Sequence, residues 1–233
     1  MKVRGASIGT PVTKPTRDLI LDAAEARFAD RGFAGVSVRE IAADVGLKNQ
    51  ASLYHHFRNK RALYEAVLAR GVEAIVDLVA SSGTSERAGG PSDPQTMEAT
   101  LDRVIDYLVE HPHLPRLIQR AGIDDTRYMR GAVTRLLRPL YQQGLGVLAL
   151  SGAPWRPEEL PHLAAGVYQL IFGYFANAQL FDLVVQGDLL SPEAVARQRR
   201  FVKAAVANLL GARSSAHVTP LRGVRRSATS TTH

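Results

Sequence analysis

Apolar residues recur at intervals of three and four along almost the whole chain, and no stretch shows the strict alternation of a half-buried strand. That periodicity confines the chain to helices packed on helices, because each apolar stripe needs another element to cover it. From Thr16 to Arg31, the residues Ile20, Ala23, Ala24, Arg27 and Phe28 share one face, and Gly32 follows as a helix-closing residue. Ser37-Val38-Arg39-Glu40 has the form of a capping box, opening a helix with Val38, Ile41, Ala42 and Val45 on one side. Gly46 permits the positive φ of a sharp turn, Leu47 plugs the corner, and a short helix reaches Phe57. Asn59 then caps a fourth helix through Leu63 and Val67 to about residue 80.

Residues 81–95 are rich in Ser, Gly and Pro and read as a long loop or mobile linker. Helices resume near Thr96, break at residues 110–113, and continue over 114–122 and 125–149, with Pro139 expected to kink the last. After a loop at 151–157, Pro157 starts a helix expected to run unbroken to Gln186, with Gly187 closing it. Ser191 opens a final helix ending at Gly211, and the Ser/Thr/Arg-rich remainder reads as disordered. The expected organisation is all-α: a flexible basic arm (1–14), a helix-turn-helix domain (15–62, the motif at about 38–57), a helical domain (63–211) and a basic tail (212–233).

Charge is unevenly placed. Residues 1–64 hold 11 Lys/Arg against 6 Asp/Glu, residues 65–211 hold 14 against 16, and residues 212–233 hold four arginines and no acid. A basic front on a neutral body points to a polyanionic partner for the front alone. The chain has no cysteine, so thiolate chemistry and disulfides are excluded, and no signal peptide is visible; both features suit a cytoplasmic protein. Residues 160–181 carry no formal charge, yet Pro161, His162, Gln169, Asn177 and Gln179 make a buried helix the better reading than a membrane span.

Two short helices joined at Gly46 and backed by a preceding helix make a helix-turn-helix. Leu53 and Phe57, four apart, hold the second helix on the core, so its other face projects outward to enter a major groove. Gln50, Ala51, Ser52 and His55 suit base edges, while Lys48, Tyr54 and His56 suit flanking phosphates. A metal site at the histidines is disfavoured: adjacent His55 and His56 point about 100° apart on a helix, with no further ligand at metal spacing.

Residues 16–64 closely resemble the DNA-binding domain of TetR/AcrR-type transcriptional regulators. The shared features are the first helix ending in "RGF" (residues 31–33), the "SVREIA" helix, the Gly46 turn, "SLYHHF" and "NK" at 59–60. The resemblance implies that Tyr54 and Lys60 contact backbone phosphate, with Ser37 and Arg39 as further phosphate contacts. From Gly46 to Leu53 is seven residues where the family has six, so either the turn or the helix start is extended by one across Lys48, Asn49 and Gln50, all three of them expected DNA contacts.

In the second domain, Val167, Leu170, Tyr174, Ala178 and Phe181 belong to one continuous apolar seam, with Tyr168, Phe172 and Phe175 on a second stripe. One stripe can face the core and the other a partner, although both can also be core. The resemblance implies dimerisation through the last two helices, at 158–186 and 192–210, with Val202, Val206 and Leu209 completing the interface. Two reading heads about 34 Å apart then require an inverted-repeat operator. Nine of the fifteen aromatics fall between residues 100 and 185, enough to line a cavity for a small, largely apolar effector. Tyr107, Tyr128, Tyr141, Trp155, Phe172 and Phe175 are candidate walls, with Arg120 and Asn177 as polar candidates. No cofactor is implied, and no phosphate loop, nucleophile elbow or metal-ligand set points to an enzyme. The expected function is a homodimeric, ligand-responsive regulator acting as a repressor; a non-specific or architectural DNA-binding protein is the alternative.

Overall fold

The computed structural model describes residues 14–81, 93–123, 126–150 and 154–211, the side chains of 126–129 excepted. The expected basic arm (all but Lys14), most of the linker, the basic tail and the side chain of Tyr128 lie outside the described residues. Every described element is helical, as the periodicity predicts. The helices are α1 (Thr16–Arg31), α2 (Val38–Asp44), α3 (Gln50–Tyr54), α4 (Lys60–Ala80), α5 (Pro94–Glu110), α6 (Leu114–Ile123) and α7 (Thr126–Leu150). They are followed by α8 (Leu160–Tyr168), a π-helical turn (Gln169–Gly173), α9 (Tyr174–Ala176), α10 (Ala178–Val185) and α11 (Pro192–Leu209). No described helix is long and apolar enough to cross a membrane.

Local chemistry sets the ends of the first four helices. The capping box forms in full: Ser37 accepts from the Glu40 amide, while the Glu40 carboxylate accepts from the Ser37 amide at 2.8 Å. Asn59 caps α4, its Oδ1 accepting from the Ala62 amide at 2.8 Å. Gly46 sits at φ +70°, the left-handed conformation that the turn requires. α1 is tied to α2 by Arg27 on Asp44 and by Arg31 on Glu40 at 2.8 Å.

One continuous core runs from Ile20, Phe28, Ile41 and Leu53 in the front domain through Tyr64, Ile105 and Leu117 to Val202 and Val206. α4 belongs to both parts, packing on α1 in the front domain and on α5 and α7 in the helical domain. At Gly71 the Leu114 side chain comes so near that a Cβ would collide with it; this glycine lets α6 lie against α4.

The expected single helix from Pro157 to Gln186 is broken. Residues 157–159 form a turn and α8 starts at Leu160, with Pro161 in the first turn where a missing N–H costs nothing. At Asn177 the backbone leaves the helix (φ −107°, ψ 10°), and the Asn177 side chain donates to the Gly173 carbonyl at 2.8 Å. This side-chain bond competes with the helical ladder, as short amides do. The closing residue is Gln186 at φ 55° rather than Gly187. α7 passes through Pro139 without interruption.

Candidate functional site

α3 is five residues long, and its hold on the core comes from two side chains. Leu53 is 0% exposed and Phe57 5%. The helix ends at Tyr54 rather than Phe57, yet the Phe57 amide still donates to the Leu53 carbonyl at 3.1 Å, so both anchors keep their common face. Against that fixed side, Lys48, Asn49, Gln50, Ala51, Tyr54, His55 and His56 are exposed, and Ser52 is half-buried. Ser37 and Arg39, at the start of α2, are exposed as well.

Several of these groups already have structural work. Asn49 is the N-cap of α3: its Oδ1 accepts from the Ser52 amide at 3.0 Å and from the Ser52 hydroxyl at 3.2 Å. The residue that lengthens the turn therefore leaves a good capping residue at the helix start. The Ser37 hydroxyl is committed to Glu40. Lys60 lies at the N-terminus of α4 with its ammonium 4.5 Å from the centre of the Phe33 ring, and Arg17 lies 5.2 Å from that of Phe57. Both cations pack on the aromatic core of the head.

The Glu40 carboxyl is held at a pKa of about 2, chiefly by the Ser37 hydroxyl, then by the Ser37 amide and Arg31. Arg27 likewise holds Asp44 below its ordinary value.

The second feature is a cavity of about 380 Å³ in the helical domain. α4 contributes Ile75 and Val79; α5 contributes Met97, Thr100, Leu101 and Val104. α7 supplies Leu137, Leu140 and Tyr141, and the α8 segment supplies Val167, Tyr168 and Phe172. Of the expected walls, Tyr141 and Phe172 line it. None of the other described candidates does, for reasons visible in their contacts. Tyr107 packs on the His111 ring at 4.2 Å; Phe175 is buried edge-on to Tyr174; Trp155 donates its indole N–H to the Leu209 carbonyl; and Asn177 is spent on Gly173. Arg120 reaches out of the domain altogether, donating to the Ala29 and Asp30 carbonyls at 2.9 and 2.7 Å at the end of α1. In the sequence Tyr168 is only one member of an aromatic stripe; its stacking on Phe172 at 4.7 Å sets it in the cavity wall.

The expected dimer residues divide. Ala178, Val202 and Val206 are at most 2% exposed within the chain's own core, so they have no surface to offer a partner. Val206 and Val167 line the cavity. Leu170, Tyr174 and Leu209 are half-buried, the Tyr174 hydroxyl donating to the Leu189 carbonyl at 2.7 Å. Phe181 is exposed, and so are Leu180, Leu183, Val184 and Val185 beside it and Phe201 on α11.

α2 and α3 joined at the Gly46 turn and backed by α1 have the arrangement of a helix-turn-helix, here set on a cavity-bearing helical domain. Residues 20–67 match the family described as bacterial regulatory proteins, tetR family. The chain is 34% identical over 109 residues to the HTH-type transcriptional repressor SCO4008 of Streptomyces coelicolor, covering 47% of this chain and 50% of that protein. It is 46% identical over 52 residues to the HTH-type transcriptional repressor KstR2 of Mycolicibacterium smegmatis, covering 22% and 25%. The matched part thus spans half or less of these two curated relatives. Among solved structures, the TetR transcriptional regulator from Legionella pneumophila superposes with a TM-score of 0.62 at 18% identity, covering 83% of this chain and 98% of that one. The ketosteroid transcriptional regulator KstR2 of Mycobacterium tuberculosis gives 0.60 at 17%, covering 85% and 95%. These likenesses concern the fold. Over residues 20–67 the chain carries the signature of the tetR family of bacterial regulatory proteins.

Proposed function

We propose that the protein is a homodimeric transcriptional repressor that binds an inverted-repeat operator and is released from it by a small, largely apolar effector. The observation that carries this reading is the contrast within one short helix: Leu53 and Phe57 are sealed in the core while Gln50, Ala51, Tyr54 and His55 face solvent. Such a helix offers short polar groups and a thymine-sized apolar contact to base edges. Arg39, Lys48, Tyr54, His56 and Lys60 surround it as phosphate contacts. The two relatives described as repressors support the direction of control.

Dimerisation draws support from the exposed apolar run over residues 180–185, where Leu183 is 80% exposed, together with Phe201 at 55%. A cluster of large apolar side chains on the surface is the mark of a partner surface. Release draws support from the cavity and from α4, which runs between it and the front domain. An effector that prefers the non-binding conformation by roughly 1–3 kcal/mol weakens the operator complex about 5–150-fold.

The test is titration of the full chain with genomic fragments, followed by the selected inverted repeat against a scrambled duplex at physiological salt. Selective binding with a steep salt dependence is expected. Equal affinity for both duplexes overturns the reading in favour of a non-specific DNA-coating protein.

A further inference from the structure

We propose that the cavity takes an electrically neutral hydrophobe bearing one hydrogen-bond acceptor, such as a ketone, ester or ether, and that Tyr168 reads that acceptor. This rests on the effector-cavity reading above and narrows its chemistry. The cavity wall among the described residues contains no charged side chain. Several charged groups on the helices that build the wall are engaged elsewhere. On α5, Met97, Thr100, Leu101 and Val104 face inward, while Asp102 pairs with Arg199 at 2.9 Å and with Lys203 at 2.5 Å, and Asp106 pairs with Arg199. On α4, Arg70 is held by Asp22 and Glu25 at 2.7 and 2.8 Å. A carboxylate or an ammonium placed inside would lose its water and gain no counter-charge.

Three residues of the wall among the described residues bear a hydroxyl. That of Thr100 donates to the Thr96 carbonyl at 2.7 Å. Tyr141 is 44% exposed and reaches water. Tyr168 is half-buried, stacked on Phe172, and its hydroxyl has no hydrogen-bond partner among the described residues. Burial raises its pKa, so it stands as a neutral phenol, a donor. A lone donor in an apolar wall rewards a ligand with one acceptor and penalises one with none.

The experiment uses the full chain without DNA, so that its outcome is independent of operator binding. The neutral fluorophore N-phenyl-1-naphthylamine, which brightens in apolar sites, is displaced in turn by 2-decanone, decanoate, decylammonium and 1-decene. The ketone is expected to displace it at least about tenfold more effectively than either ion. Tyr168→Phe is expected to weaken the ketone about 3- to 10-fold and leave 1-decene unchanged. Val104→Phe, which narrows the cavity, is expected to reduce the fluorescence. Decanoate or decylammonium matching the ketone, a Tyr168→Phe variant that binds the ketone as well as before, or fluorescence unchanged by Val104→Phe would each overturn the proposal.

Discussion

Replacing Asn49 by alanine separates two roles that its position allows, reading a base and starting a helix. α3 has five residues, far below the length at which a helix is stable by itself. Its order rests on the Leu53 anchor and on the Asn49 Oδ1, which satisfies the Ser52 amide and hydroxyl. Loss of such a cap costs about 1 kcal/mol. A dimer bound through two heads loses it twice, about 2 kcal/mol, which corresponds to roughly 30-fold in operator affinity. Asn49→Ser restores a capping oxygen but not the carboxamide, so it is expected to recover most of the loss. Asn49→Asp caps well and suits the helix N-terminus, yet brings a negative charge towards the phosphates. It is expected to keep thermal stability while binding DNA weakly. Fluorescence anisotropy with a labelled operator, paired with thermal unfolding of each variant, measures both effects. If Asn49→Ser binds as poorly as Asn49→Ala at unchanged stability, the carboxamide touches DNA directly and the capping argument fails.

The capping box has a defined acid limit. The folded pKa of Glu40 lies below the ordinary 4.5, so its contribution is present above that value and is lost as pH falls towards about 2. In urea titrations the advantage of the native chain over Glu40→Gln is therefore expected to shrink as the pH is lowered through that window; a constant difference would contradict the assignment. Gln186→Gly, relieving a left-handed residue, is expected to gain about 0.5–1 kcal/mol and raise the melting temperature by roughly 1–4 °C in calorimetry. Leu183→Asp combined with Phe201→Asp is expected to give a folded monomer in sedimentation, with operator binding reduced; a persisting dimer would place the interface elsewhere.

The front domain was legible because its signals are local. Ser37 with Glu40, Gly46, and Asn59 with Ala62 act over three residues or within one, so the order of letters contains the whole interaction. The role of Asn49 was not legible in the same way, because the lengthened turn leaves open which residue starts α3. In the helical domain, apolar spacing revealed which positions are buried but not what buries them. Val202 and Val206 fit a dimer seam and the chain's own core equally well as a pattern, and α5 and the cavity are what cover them. The break at Asn177 depends on a rotamer that reaches back to Gly173, and periodicity contains no trace of it. Arg120 read as cavity polarity because its carbonyl partners lie about ninety residues away in sequence.

α4 is one uninterrupted rod of 21 residues with Lys60 at one end and Ile75 and Val79 at the cavity. Fifteen residues of α-helix separate Lys60 from Ile75, about 22 Å. Swinging such a rod by roughly 5° about its cavity end carries the other end sideways by about 2 Å, more than half the length of a hydrogen bond. For the proposed release, an occupant that nudged Ile75 would need no chain of relayed contacts: leverage alone would spoil the fit of a head whose grip depends on ångström-scale registration.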